Sequence, residues 1–208
     1  MGRTNAHLAL IYAIVFVNGA ALMAFEILGS RVLAPSFGNS IFVWGSLIGV
    51  FMAGMALGYF FGGVLGDRCR SRLLFALLPT LPGLLLLVFP YYAFPLTAWL
   101  ADYDLGPRFG PFLACLLLFL LPSVFLGAVS PYAIVLALHD LRRAGQSVGA
   151  LYAISTVGSI AGTLGTSFYL ILWLGTRSAL QSIGVLLLVA GAAALFLTER
   201  RPAAAPER

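Results

Sequence analysis

Long apolar runs alternate with short polar segments along the whole chain. Each run is long enough to cross a bilayer, which takes about 20 apolar residues as a helix. The pattern predicts an all-α integral membrane protein with six transmembrane helices. A cytoplasmic N-terminus (1–7), a transmembrane domain (8–198) and a cytoplasmic tail (199–208) complete the expected organisation. The six runs cover residues 8–34, 41–66, 73–98, 112–138, 148–174 and 178–198.

The first run is expected to be a retained helix. It is too long for the core of a signal peptide, and no clear cleavage site follows Glu26. Proline interrupts runs three and four, which predicts kinks that neighbouring helices tolerate. Between them, the stretch from Pro90 to Pro111 is expected to be the one long outer loop. Its tyrosines and Trp99 favour an aromatic belt at the membrane surface over a ligand-binding lid.

The basic residues, all arginine, are unevenly distributed among the loops. Cytoplasmic loops carry an excess of positive charge, so this asymmetry predicts both termini in the cytoplasm of a bacterial inner membrane protein. One side would carry Arg3, Arg68, Arg70, Arg72, Arg142, Arg143, Arg200, Arg201 and Arg208. The other would carry only Arg31, Arg108 and Arg177.

Composition agrees with this picture. The chain is 61% hydrophobic and 9% charged, with a mean hydropathy of +1.01 over 208 residues. That much charge cannot cover a soluble fold, so a soluble enzyme, a disordered chain and a nucleic-acid-binding domain are excluded. The two cysteines, Cys69 and Cys115, have no metal-binding or disulfide spacing, and no cofactor is expected.

Small residues mark packing faces on runs two and five. On a helix, Gly45 and Gly49 share one side, and Gly54, Gly58 and Gly62 lie on roughly the opposite side. Run five presents Gly158 and Gly162 in the same way. Such spacing lets helix backbones approach closely. Ordinary packing within one bundle is one interpretation; the other is that helices two and five also face a second bundle.

Glu26 is the acidic residue that lies clearly inside a span, where charge is costly and usually functional. Its helix face includes Tyr12 and Ser30. Three interpretations stay open: a structural ion pair or hydrogen bond, a substrate- or proton-binding carboxylate, and an exposed interfacial site. Arg31 lies about 140° around a straight helix, but a break before Pro35 would allow it to approach. Further candidates for a binding site are Tyr152, Ser155 and Thr156 in run five.

The segment from Gly63 to Arg72 resembles the G-x-L-x-D-R-x-G-R-R signature of the major facilitator superfamily. Asp67 and Arg68 match it, Arg72 falls near a later basic position, and Cys69-Arg70-Ser71 departs from the family's glycine. The resemblance implies a cytoplasmic gating motif made of Gly63, Asp67, Arg68 and Arg72. It also implies half a transporter, built from two three-helix inverted repeats.

Three segments are similar to the membrane domain of bacterial fused major-facilitator/spermidine-synthase proteins: 19–38, 43–63 and 147–162. In that family a cytoplasmic aminopropyltransferase domain follows the membrane domain. The present sequence ends shortly after the sixth run, so the catalytic domain is expected to be missing and the chain is expected not to be an enzyme.

Two main functions remain. The first is a half-size secondary transporter that works as a homodimer, with a small cationic substrate such as a polyamine suggested by the family resemblance. The second is a non-transporting anchor or subunit, for a separate spermidine-synthase-like enzyme or a larger membrane complex. An intramembrane enzyme is the weakest hypothesis, because His7 and His139 are remote from Glu26 and no nucleophile or metal spacing is present.

Overall fold

A computed structural model describes residues 2–103, 105–138 and 144–197. His139, Asp104, Arg142, Arg143 and the C-terminal arginines lie outside these ranges. The described part contains no strand and forms a bundle of long helices. The helices are α1 (Gly2–Phe37), α2 (Ile41–Arg68), α3 (Arg72–Asp102), α4 (Gly106–Ala137), α5 (Ala144–Gly165) and α6 (Ile171–Ala194), with a π-helical turn at Thr166–Leu170.

Within the described ranges, five helical segments are long and apolar enough to cross a membrane, as expected of a multi-pass membrane protein. Four of them lie within α1 to α4. The fifth runs from Ala144 to Ala194 and contains the π-helical turn and a non-helical Gly175 (φ 69°, ψ 171°). A positive φ of this kind favours glycine, because glycine has no Cβ to clash with the backbone.

The prediction of a long outer loop from Pro90 to Pro111 is wrong. Helix α3 continues through four prolines as far as Asp102, and α4 begins at Gly106. Helix α1 also continues through Pro35 to Phe37, so the break that would have allowed Arg31 to approach Glu26 does not occur. Proline removes one backbone hydrogen bond at a time, and in an apolar medium a continuous helix still satisfies the remaining backbone groups better than a loop does.

Two apolar clusters stack along the bundle axis and define its ends. The first contains the second half of α1 and the first halves of α2, α4 and α6. The second contains the first half of α1, the start of α3 and the last turns of α4 and α6. We call the end nearer the first cluster, with the loop Gly38–Ser40, the first-loop end. The opposite end, with the loop Cys69–Ser71, is the second-loop end.

Phenylalanine rings from four helices pack against one another in the first cluster. Phe25 of α1 lies at the centre, with ring centroids 5.4 Å from Phe51, 5.2 Å from Phe89 and 5.3 Å from Phe119. All four side chains are fully buried. Aromatic pairs at these separations add to the energy of burial, so this contact fixes α1, α2, α3 and α4 to one another.

The helices form three close pairs. Helix α2 packs along α4, α5 packs along α1, and α3 packs along α6. Helices α1 and α4 touch each other and contact α3, which places them at the centre with α3 and α6 on one side. Helices α2 and α5 do not pack against each other anywhere in the described ranges.

Candidate functional site

Glu26 lies on α1 in the half of the bundle nearer the first-loop end. Its side chain is half-buried, and it has no hydrogen-bond or ion-pair partner among the described residues. Arg31 is exposed and does not reach it. Of the interpretations left open for Glu26, an ion pair with Arg31 is not observed, because α1 stays helical through Pro35 and keeps the two side chains on different faces.

The other predicted residues of the Glu26 face are spread along the bundle. Tyr12 packs against the second cluster, 14 residues or about 21 Å of helix away from Glu26. Ser30 lies one turn beyond Glu26, is buried, and donates its hydroxyl hydrogen to the carbonyl of Ile27 at 2.8 Å. The structure thus places Ser30 near Glu26 but separates Tyr12 from it.

The candidates on α5 lie nearer the second-loop end. Thr156 donates its hydroxyl hydrogen to the Tyr152 carbonyl at 2.9 Å, and both residues are exposed. Ser155 is half-buried against Gly19 of α1. Its neighbour Ser159 reaches the Gly19 carbonyl at 3.3 Å. Ser155 and Ser159 therefore line the α1–α5 contact, whereas Tyr152 and Thr156 are exposed, and none of the four bonds to Glu26.

Asn18 is a buried polar residue that the sequence analysis did not single out. Its Nδ2 donates to the Leu126 carbonyl of α4 at 2.9 Å, which ties the two central helices together. Its Oδ1 is buried without a partner, as is Oγ1 of Thr166 in the π-helical turn. A search for polar residues in mid-span, beyond the charged ones, would have found Asn18. Unpaired buried polar atoms are rare and call for a physical explanation.

The loop Cys69–Ser71, within the predicted gating motif, is held by Tyr132 of α4. The tyrosine hydroxyl accepts a hydrogen bond from the Ser71 backbone N–H at 3.0 Å and faces the carbonyls of Cys69 and Ser71. Its ring is fully buried and stacks on Phe75. Sequence spacing gave no sign of this long-range contact.

The motif's charged residues face outward. Asp67 and Arg68 are exposed, and Gly63 has open space around it. Arg72 donates to the Leu195 carbonyl at 3.4 Å, which fastens the start of α3 to the end of α6. Asp67 and Arg68, by contrast, have no hydrogen-bond partner in the described part of the chain.

The α2–α4 and α5–α1 pairs are both built on glycines four residues apart that lie against backbone carbonyls of the partner helix. In the α2–α4 pair, added Cβ atoms on Gly58 and Gly62 would strike the carbonyls of Val124 and Ala128. In the α5–α1 pair, added Cβ atoms on Gly158 and Gly162 would strike the carbonyls of Phe16 and Ala20. Gly54 likewise lies against Ser123 of α4. The spacing along both helices of each pair is identical, so the two interfaces correspond residue by residue.

The exposed surfaces of α2 and α5 combine small residues with large apolar ones such as Phe60, Phe61 and Ile160. Gly45 and Gly49 of α2, with Gly145 and Gly149 of α5, have no atom within contact distance of an added Cβ. The exposed residues of α3, such as Leu77, Leu81, Leu84 and Val88, are large and apolar. Lipid-facing surfaces are normally of the second kind, whereas small residues are typical of helix–helix interfaces.

No protein-family model matches the chain, and neither the curated proteins nor the solved structures give a match. Within the described ranges, no group of three histidine, cysteine, aspartate or glutamate side chains is placed to hold a metal.

Proposed function

We propose that this chain is a half-size secondary transporter that acts as a homodimer on a small cationic substrate of the polyamine class. The observation that carries the proposal is Glu26, a half-buried carboxylate in a candidate span with no partner among the described residues. A carboxylate at this depth requires water, a proton, a cation or another chain. A site between two copies would supply all of these.

The proposed transporter half has six spans. Leu151, near the start of α5, and Ala194, at the end of α6, belong to the same cluster at the second-loop end. Ile171 packs against the other cluster, at the first-loop end. The chain between Ala144 and Ala194 therefore reverses direction near Gly175, which favours two spans over one long helix.

An internal inverted repeat is supported by the matched helix pairs. Residues 16 and 20 of α1 correspond to 124 and 128 of α4, and residues 58 and 62 of α2 correspond to 158 and 162 of α5. Helix α3 pairs with α6, as the same relation requires. Corresponding helices run in opposite directions, because the second half of α1 shares a cluster with the first half of α4. Three-helix inverted repeats of secondary transporters have this relation between their halves, and the likeness supports the proposal.

The second copy is proposed to cover the exposed faces of α2 and α5. The open glycines of α2 and α5 would permit close backbone approach between their large apolar neighbours, whereas α3 exposes mainly large apolar side chains. With both termini in the cytoplasm of a bacterial inner membrane, Asp67 and Arg68 would lie at the cytoplasmic surface. There they would be free to form a charge latch with the second copy.

Replacement of Glu26 by glutamine tests the transport proposal, because it removes the charge and keeps the side-chain shape. In proteoliposomes with a polyamine gradient across the membrane, we expect Glu26→Gln to abolish polyamine uptake. Asp102→Asn is the matched control, since it makes the same change at an exposed helix end and should leave uptake intact. Unchanged uptake in Glu26→Gln would remove Glu26 from the mechanism, and absence of uptake by the wild type would refute the proposed transport.

The alternative function, a membrane anchor or subunit, is favoured by the loop at the second-loop end. Arg68 and Arg70 are exposed and have no hydrogen-bond partner within the described ranges. Basic groups at this position suit a soluble enzyme partner or anionic lipid. Affinity purification in mild detergent tests this: a stoichiometric partner, lost when both arginines are replaced by glutamine, would support the anchor.

A further inference from the structure

A polar pocket of about 270 Å³ opens at the first-loop end. It lies between the last turns of α1, the start of α2 and the π-helical turn. One isoleucine from α1 and one from α6 line it together with five polar side chains. The polar side chains are Ser30, Arg31, Asn39, Trp44 and Ser167. Two of these residues, Ser30 and Arg31, were predicted only as neighbours of Glu26.

The free polar groups of this pocket are mainly hydrogen-bond donors. The guanidinium of Arg31, the amide of Asn39, the indole N–H of Trp44 and the hydroxyl of Ser167 have no partner in the part of the chain that the structure describes. No carboxylate lines the pocket. A cationic, donor-rich lining favours an oxyanion, and a guanidinium suits phosphate because its two parallel N–H groups match two phosphate oxygens.

Arg31 differs from the other arginines at this end of the bundle. Arg108 sits over the ring of Phe42, with its guanidinium carbon 5.3 Å from the ring centroid. Arg177 sits over Phe94 at 5.1 Å. These two cations already have a favourable contact within the chain. Arg31 has no such ring and instead lines the pocket, so its charge is available to a ligand.

The depth of the pocket matches the membrane surface. All three tryptophans of the chain, Trp44, Trp99 and Trp173, lie near the first-loop end, and such residues concentrate at the level of lipid headgroups. Arg31 precedes the end of α1 by six residues, or about 9 Å of helix. A phosphate group at the surface of the bilayer would therefore lie within reach of its side chain.

The π-helical turn contributes Ser167 to the pocket. Turns of this type are rare, and they occur frequently at functional sites because they alter the direction of a side chain. Thr166, the first residue of the turn, has a fully buried hydroxyl without a partner. The protein thus maintains an unusual backbone and an unpaired polar group beside the pocket.

We propose that this pocket is a phosphate-binding site in which Arg31 supplies the charge and Asn39, Trp44 and Ser167 supply neutral donors. The phosphate belongs either to a free anion or to the headgroup of an anionic lipid. The proposal does not depend on transport, because it rests on groups other than Glu26.

Trp44 provides a direct probe of binding. In a full-length chain with Trp99→Phe and Trp173→Phe, the remaining tryptophan fluorescence comes from inside the pocket. One arm titrates inorganic phosphate in a neutral detergent. The other arm compares nanodiscs of phosphatidylcholine with nanodiscs that also contain phosphatidylglycerol. Both arms are repeated with Arg31→Gln, with Ser167→Ala and with the control Arg108→Gln.

A saturable change in Trp44 emission is expected, with binding at least about tenfold weaker in Arg31→Gln and little altered in Arg108→Gln. A response to inorganic phosphate would identify a soluble anion, and a response only to phosphatidylglycerol would identify a lipid headgroup. The proposal is overturned if neither ligand alters the emission, or if the response survives in both Arg31→Gln and Ser167→Ala. Arg31 is exposed, so its replacement should not prevent folding.

Discussion

Substitution of Gly62 by alanine should destabilise the bundle through the α2–α4 contact. An added Cβ would lie 2.5 Å from the Ala128 carbonyl oxygen and 2.7 Å from the Ala128 Cα. Carbon atoms in good contact are about 3.5–4.0 Å apart, so the two helices must separate by about 0.8 Å at this level. The nearest atoms belong to backbone and cannot rotate away. We expect the free energy of unfolding to fall by about 1–3 kcal/mol, the usual cost of overpacking.

The neighbouring residue gives a matched control. An added Cβ on Gly63 meets no atom within 4 Å, although it stands on the same helix at the same depth. Both substitutions gain helix propensity, at most about 1 kcal/mol each, so their difference isolates the helix–helix clash. The measurement is the unfolding equilibrium in mixed dodecyl maltoside and SDS micelles, followed by circular dichroism. Equal unfolding free energies for Gly62→Ala and Gly63→Ala would refute the close approach of α2 and α4.

Three further predictions concern the loop, the topology and the dimer. Tyr132→Phe should lower the unfolding free energy by about 1 kcal/mol, because the Ser71 N–H loses its acceptor. The control Tyr169→Phe, at an exposed position, should change the unfolding free energy by less than about 0.5 kcal/mol. An equal loss in both variants would count against the loop contact. Cys69 is exposed in its loop and Cys115 is buried, so a membrane-impermeant maleimide should label inverted vesicles but not intact cells; labelling of intact cells would reverse the proposed topology. In a Cys69→Ser background, Ala56→Cys should form an inter-subunit crosslink while Leu84→Cys on α3 should not, and failure at Ala56 would argue against the α2 interface.

Some helix boundaries were predicted correctly from the sequence and others were not. The boundary expected near residue 175 coincides with a glycine in a conformation that other residues rarely adopt. The long loop predicted at Pro90–Pro111 does not exist, because prolines that break helices in water are tolerated inside a bundle. Proline was therefore a poor guide to helix ends in this chain, whereas the glycines with positive φ in the described ranges, Gly38, Gly106 and Gly175, stand at helix boundaries.

The class of protein and its apolar segments follow from the sequence alone. A stretch of about 20 apolar residues must satisfy its own backbone hydrogen bonds in lipid, and a helix does so without help from the rest of the fold. The position of Glu26 within such a stretch follows from the same local pattern. So does the exposure of Asp67 and Arg68, which come directly after the second apolar run.

Which face of each helix meets another helix was decided only by the tertiary structure. In a membrane, residues that face lipid and residues that face protein are both apolar, so periodicity does not separate them. Gly58 and Gly49 are equivalent in sequence terms, yet one lies against α4 and the other is open. The contact of Tyr132 with the distant loop and the pocket around Arg31 likewise arise from helices brought together over long sequence separations. Such contacts depend on the packing of the whole bundle, which no local pattern encodes.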